Sequence, residues 1–284
     1  MTAPPLPEFI LVGPQKCATT WLYECLYEHP EVLLPETDSV HYFDMNYNKR
    51  EDWYRRFFQE YDNEYIVGEE TPSYIRDQQA PERIAETLSE VKLVFTLRNP
   101  VDRAYSHWWH EKSKNKHSFD FEEVFNNYDL YNDWVIPGLY NYHLTRYLEH
   151  FSEAQIKICF FDDLVEDDLA YYQDVCEFLG INADYVPDYI GEKANEGRYR
   201  FDKDAFFWSL TNGFKRVAPR PAIDALRPVH NQIVDMMASQ TEYEKGMDDD
   251  VRRRLESHLV DDIAELADYT GRDLNHWFEF EELP

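Results

Sequence analysis

Positive charge is what this chain has least of. Its 284 residues carry 28 Lys and Arg against 56 Asp and Glu, a formal net charge of −28 and a pI near 4.6. Long-range repulsion of that size disfavours sequence-nonspecific binding to nucleic acid or to an anionic membrane surface, so a polyanion has to meet a local basic patch. Cysteine is also sparse. Cys17, Cys25, Cys159 and Cys176 form no CxxC pair and show no zinc-ligand spacing, and no metal site is expected. No run approaches the roughly 18 apolar residues that span a bilayer, and no charged stretch followed by a long apolar one opens the chain, so neither a transmembrane segment nor a leader is expected. These absences predict a soluble chain in a reducing, cytoplasmic setting. No internal repeat or low-complexity linker divides it.

What is present suffices for a packed core: 43% of residues are hydrophobic and 16% aromatic, which excludes a disordered chain. The acidic residues are spread along the chain rather than held in a tail, and arginine outnumbers lysine. This resembles the surface habit of proteins from salt-loaded cytoplasms, such as those of halophilic archaea, where a screening length of about 3 Å at molar salt mutes self-repulsion. An ordinary acidic protein is the alternative, and thermal unfolding at low and multimolar KCl separates the two.

Short apolar runs alternate with helical patterns, the arrangement that builds a parallel sheet covered by helices. Strands are expected at 9–12, 65–67, 92–97 and 156–161, and helices at 19–28, 51–60, 80–89, 101–116, 139–150 and 170–179. Beyond about residue 190 the pattern changes to a Gly, Asn and Arg-rich loop, a helical segment near 202–213, a stretch interrupted by Pro219, Pro221 and Pro228, and a helix near 248–268. Leu255, Leu259, Ile263 and Leu266 recur there at helical spacing, so that helix is read as a packing element. The expectation is one domain over 1–284, with a core at 8–190 and a helical C-terminal cap at 191–284.

Two segments carry the chemistry. Gly13-Pro14-Gln15-Lys16-Cys17-Ala18-Thr19-Thr20-Trp21 follows a strand and opens a helix, the context in which backbone N–H groups and a helix N-terminus hold a phosphate. It is not the NTPase loop: the GxxxxGK[ST] pattern puts Lys six residues after its first Gly, whereas Lys16 lies three after Gly13. The strand ending at Leu97 runs into Arg98-Asn99-Pro100-Val101-Asp102-Arg103-Ala104-Tyr105-Ser106. There Pro100 suits a first helical turn, and Arg98 and Ser106 can converge on one anion. A metal-dependent phosphotransferase wants an acidic magnesium anchor near such a strand end, and this strand ends in Leu-Arg.

The loop, the RxPxxRxxS segment and their separation of about 80 residues resemble the sulfotransferases that use 3′-phosphoadenosine 5′-phosphosulfate (PAPS). Asp52-Trp53-Tyr54, Phe57-Phe58, Arg103-Ala104-Tyr105-Ser106, Pro137-Gly138-Leu139-Tyr140 and Phe178-Leu179-Gly180 are similar to the heparan sulfate N-sulfotransferase domain and its 3-O relatives. The likeness covers roughly 8–180, with a looser match through Gly271-Arg272-Asp273-Leu274 and Trp277. The resemblance implies an α/β fold of the P-loop-kinase-like kind, with a central parallel sheet flanked by helices. It also implies direct in-line sulfuryl transfer from PAPS, leaving 3′-phosphoadenosine 5′-phosphate, with no metal. The acceptor it implies is a hydroxyl of a glycan or glycolipid, with a small molecule also open. Gln15, Lys16, Cys17, Ala18, Thr19, Thr20 and Trp21 would then surround the 5′-phosphosulfate, Lys16 steadying the bridging oxygen, and Arg98 and Ser106 would hold the 3′-phosphate. Arg198 and Arg200 would close over that phosphate.

The relatives carry their general base as the Glu of a Lys-Glu-x-His-Phe-Phe-Asp segment. Here the stretch reads Asp38-Ser39-Val40-His41-Tyr42-Phe43-Asp44 and puts Ser39 at that place. His41, with an ordinary pKa of about 6.5, can act near neutral pH with Asp44 orienting it. Asp38 is a second candidate, and Glu69 or Glu70 a third. In Glu69-Glu70-Thr71-Pro72-Ser73-Tyr74, read as a strand-end turn, Glu70 stands where several relatives carry Lys, which argues against a highly sulfated acceptor. A helix N-terminus beside Lys16 is expected to lower the Cys17 thiol pKa, although direct transfer needs no thiol nucleophile. A P-loop nucleotide or sugar kinase, and a PAPS-binding relative that lost catalysis with Ser39, are the competing readings.

Overall fold

The computed structural model describes residues 4–37, 39–61, 65–114, 116, 118–191 and 247–283. Five strands form one parallel sheet: β1 (Phe9–Gly13), β2 (Val32–Leu33), β3 (Ile66–Glu70), β4 (Lys92–Leu97) and β5 (Ile156–Phe160), in the order β2-β3-β1-β4-β5. The register pairs Phe9 with Gly68, Ile10 with Leu93 and Phe95 with Ile158. Four strands fall on the expected apolar runs, because strands buried on both faces read as continuous hydrophobic stretches. β2 is two residues long, too short for any pattern. β3 differs from expectation at its end: the segment read as a turn from Glu69 is strand through Glu70. Both carboxylates lie inside the sheet, and Thr71 N extends the pairing to Leu11 O at 3.2 Å.

Helices cover both faces. They are α1 (Thr19–Glu28), α2 (Glu51–Arg55), α3 (Ala80–Thr87), α4 (Pro100–Ser113), α5 (Tyr128–Trp134), α6 (Tyr140–Leu148), α7 (Phe161–Glu166), α8 (Asp168–Leu179) and α9 (Asp249–Thr270). Alternation along β1 divides the core. Ile10 and Val12 pack with Ile84, Ala104, Leu144 and the α9 leucines, whereas Phe9 and Leu11 pack with Leu22, Leu26, Val175 and Leu179. Each such apolar side chain removed from water contributes roughly 1.5–3 kcal/mol. The short helices α5 and α7 have no counterpart in the expected pattern. α5 is polar and starts because the Asn127 side chain accepts Asp129 N and Leu130 N.

Leu255, Leu259, Ile263 and Leu266 are fully buried against the same core as the sheet. Asp262 accepts Asn141 N and Tyr142 N at 3.0 and 2.8 Å, capping α6 from α9, since Leu139 has no side chain that can cap. Glu256, also fully buried, accepts the successive N–H groups of Glu279, Phe280 and Glu281. The expected helix at 202–213 and the proline-rich stretch lie outside the described residues. Among the described residues no helix is long and apolar enough to cross a membrane.

The sheet order changes direction at β1, with β3 on one side and β4 on the other. In open parallel sheets such a switch point opens a crevice at the carboxyl ends of the strands. The phosphate-loop candidate, the Arg98 corner and the turn after β3 all leave the sheet at that edge.

Candidate active site

β1 closes on Gly13, whose φ is 101°, and a Cβ there would stand 2.5 Å from Pro72 O. Only glycine fits both the dihedral and the space. Lys16 and Ala18 follow with φ of 72° and 66°, left-handed conformations that fold successive N–H groups inward into an anion-binding concavity. Ala18 is the N-cap of α1 and has no side chain to satisfy the first-turn N–H groups, which leaves the positive end of the helix open to an anion.

Lys16 Nζ lies 3.3 Å from His110 Nδ1. Gln15 Oε1 and Trp21 Nε1 are buried without a hydrogen-bond partner among the described residues. Thr19 is buried and Thr20 exposed. Cys17 is fully buried, its Sγ 3.9 Å from Tyr140 Oη. Burial pushes its thiol up to about 11 although Arg103 and Arg98 oppose it, so the expected lowering is overturned: desolvation outweighs the helix terminus and the nearby cations.

Arg98 stands one residue past β4. Its guanidinium lies over the Phe161 ring, 4.9 Å from the centroid, and Nη1 lies 3.5 Å from Lys16 O. Its own carbonyl accepts Tyr140 Oη at 2.7 Å, so the tyrosine that contacts Cys17 also fixes the Arg98 corner. Next, Asn99 caps α4 by accepting Val101 N and Asp102 N, with Pro100 in the first turn. Ser106 is fully buried, and its Oγ has no partner among the described residues.

The same face of α4 carries Arg103, Ser106, His107 and His110, at i, i+3, i+4 and i+7. Arg103 is fully buried and donates to Trp134 O, while its Nε and Nη1 lack a partner among the described residues. Burial, reinforced by Arg103 and Lys16, holds His107 well below the usual histidine range. Sequence reasoning took only Ser106 from this stripe. The signal for the rest was its helical spacing, which brings His110 to Lys16. Trp108 packs on Tyr105 and Phe121 in the core.

The second cluster joins the stretch between β2 and β3 to the turn that follows β3. His41, at a left-handed φ of 54°, opens a π-helical turn (Tyr42–Asn46), and its Nδ1 lies 3.0 Å from Asp44 Oδ2. Ser73 Oγ donates to the same oxygen at 2.6 Å. With Nδ1–H donated to Asp44, Nε2 keeps a lone pair, and the His41 side chain is 33% exposed against 6% for Asp44. The Asp44 hydrogen bond raises the His41 pKa against partial burial, and the bonds from His41 and Ser73 lower that of Asp44 in spite of its burial.

Glu69, a base candidate from sequence, is fully enclosed. Burial lifts it to about 7 against hydrogen bonds from Tyr54, Tyr74 and Thr71. Glu70 is buried opposite Leu11 of β1. Asp38, Arg198 and Arg200 lie outside the described residues. Among the described residues no group of three or more His, Cys, Asp and Glu side chains could hold a metal ion.

Comparison with known proteins gives a consistent picture. The sulfotransferase domain family matches residues 6–199. The mouse bifunctional heparan sulfate N-deacetylase/N-sulfotransferase 4 is 32% identical over 222 residues, covering 72% of this chain and 24% of that protein. The mouse heparan sulfate glucosamine 3-O-sulfotransferase 3B1 is 34% identical over 182 residues, covering 62% and 46%. The chain thus spans about a quarter of the length of the first of these relatives and about half of the second. A sulfotransferase crystal structure from Alicyclobacillus acidocaldarius superposes over 96% of this chain and 99% of its own, with a TM-score of 0.72 at 23% identity, a likeness of fold.

Proposed function

The chain belongs to the sulfotransferase domain family, and from that premise we propose that it moves the sulfuryl group of PAPS directly to a hydroxyl of a glycan or glycolipid. The observation that carries the donor assignment is the uncapped, left-handed loop at 14–18, beside Arg98 and near the orphaned, buried Ser106 Oγ on α4. An inward-turned N–H cluster, a guanidinium and an unpartnered hydroxyl are the donor set that two separate anionic groups require. Lys16 to Trp21, with Gln15, hold the 5′-phosphosulfate, and Arg98 and Ser106 the 3′-phosphate. Arg198 and Arg200 are assigned to close over the latter.

The donor supplies an activated sulfuryl group whose S–O bond to the 5′-phosphate breaks as the bond to the acceptor forms. Lys16 places fixed positive charge where negative charge develops on the leaving oxygen. His41 Nε2 takes the acceptor proton, and Asp44 holds the ring in that tautomer and stabilises the imidazolium it becomes. This pair supports a working catalyst in spite of Ser39, with Asp38 second in line. No metal enters the reading.

The glycan acceptor rests on the names of the relatives, which include both N- and O-sulfotransferases, so an amine is the second acceptor to test. We also read residues 1–284 as one domain, α9 sharing the core of the sheet. Four buried free cysteines support a reducing, cytoplasmic setting. Calorimetric titration with 3′-phosphoadenosine 5′-phosphate in high KCl without Mg²⁺ tests the donor assignment. Binding of that bisphosphate but not of ATP is expected. Preference for ATP, gained on adding Mg²⁺, would mean a kinase and overturn the assignment.

A further inference from the structure

The stretch that carries His41 is held from one side by two hydroxyls. Thr71 Oγ1 accepts Val40 N at 3.2 Å and His41 N at 3.5 Å, and Tyr74 Oη accepts Tyr42 N at 2.8 Å and Phe43 N at 3.2 Å. Four consecutive backbone N–H groups therefore end on two side-chain oxygens, and each hydroxyl must place its own hydrogen elsewhere. Both face the same carboxylate. Thr71 Oγ1 donates to Glu69 Oε2 at 3.3 Å, and a hydrogen bond from Tyr74 joins it in opposing the effect of burial on Glu69. Tyr54 Oη donates to Glu69 Oε1 at 2.6 Å. An ionised carboxylate, which only accepts, satisfies all three; an amide in its place would turn a donor toward at least one of them.

The turn needs such support. His41 is a non-glycine residue at φ 54°, a conformation that persists only where its surroundings over-determine it. We propose that Glu69 is the positioning residue of the His41 turn: it orients the Thr71 and Tyr74 hydroxyls to receive the N–H groups of residues 40–43, and so sets the direction of the imidazole. Glu69 is fully buried and acts through those two hydroxyls. The groups that face it are Tyr54 from α2, Thr71 and Tyr74 from the segment after β3, and Asp44 and His41 from the turn itself. The inference rests on the reading of His41 as the base, and its test has an arm that does not use turnover.

That arm is the NMR titration of the His41 ring, identified by the resonance missing from His41→Gln. In Glu69→Gln and in Thr71→Val the His41 midpoint is expected to fall toward the ordinary histidine value and the resonance to broaden, while Thr71→Ser behaves as wild type. Thr71→Val keeps the Glu69 carboxyl group and Thr71→Ser keeps the hydroxyl, so a shift seen in the first and absent from the second reports the hydrogen bond to Glu69. In the kinetic arm, with PAPS and partly N-deacetylated heparosan as probes, kcat of both variants falls by about 10–100-fold, the scale of a misplaced catalytic group. Affinity for 3′-phosphoadenosine 5′-phosphate is retained. An unchanged His41 midpoint, or equal losses in kcat and bisphosphate affinity, overturns the proposal. If Glu69→Gln does not fold, the Val and Ser variants of Thr71 carry the test alone. Failure of the wild type to bind the bisphosphate sinks the sulfuryl-transfer reading, while the His41 midpoint still decides the network.

Discussion

Lys16 sits in a left-handed backbone with its ammonium 3.3 Å from His110 Nδ1, a contact that the role proposed for Lys16 requires it to exchange for the leaving oxygen. Under that proposal the charge it meets develops in the transition state, and Lys16→Ala is expected to lower kcat by about 10²-fold. Affinity for 3′-phosphoadenosine 5′-phosphate should fall much less, as calorimetry beside steady-state rates would show; equal losses would make Lys16 a binding residue only. At Glu69, burial raises the pKa from 4.5 to about 7 in the folded chain. The folded state therefore holds that proton more tightly than the unfolded one, and its contribution is complete below about pH 4.5 and is lost as pH rises to about 7. Relative to Glu69→Gln, the wild type should lose on the order of 3 kcal/mol over that window. Chemical unfolding at pH 5 and pH 8 checks this, and a difference independent of pH would refute it. Lys16, Arg98 and the His41–Asp44 pair were legible in the sequence because each lies in a motif or at a short spacing. The partners of Glu69 were not, because Tyr54 reaches it from α2, and whether Thr71 and Tyr74 of its own segment turn toward it depends on the path of the chain after β3, which only the fold defines.

Among the elements, α6 depends on a neighbour. Its own N-terminus offers no capping side chain, and Asp262 of α9 supplies the acceptor for Asn141 N and Tyr142 N. Asp262→Ala should cost about 1 kcal/mol, the usual worth of an N-cap. It should also raise amide exchange at Asn141 and Tyr142 before the rest of α6; uniform protection would show that packing alone holds the helix. Most of the elements could be read in advance, since buried parallel strands and the Leu255 to Leu266 periodicity leave continuous or helical apolar patterns. The exceptions each have a cause of their own. β2 is too short, α5 begins from the Asn127 cap rather than an apolar face, and the end of β3 is built of Glu69 and Glu70, whose burial depends on hydrogen-bonding partners and not on their own polarity.

At the scale of the whole molecule, a net charge of −28 spread along the chain repels the proposed nucleotide donor, itself an anion. The cations Lys16, Arg98 and Arg103 gather near one edge of the sheet, so the local field at the crevice opposes that of the rest of the surface. Salt screens the distant repulsion more than the buried attraction. Raising KCl from low to multimolar should therefore raise the unfolding temperature, and equal stability in both would remove the case for a salt-adapted protein.

The clasp at the end of the described chain has a practical side. Asn99, which caps α4, gives its amide to Trp277 O, and Glu256 grips the three N–H groups just beyond. Residues 275–283 thus fasten the start of the helix that carries Ser106. A purification handle joined after Pro284 without a flexible spacer would pull on that fastening, and proteolytic removal of residues 279–281 would release the Glu256 contacts, so tag placement and proteolytic history become part of interpreting any measured donor affinity.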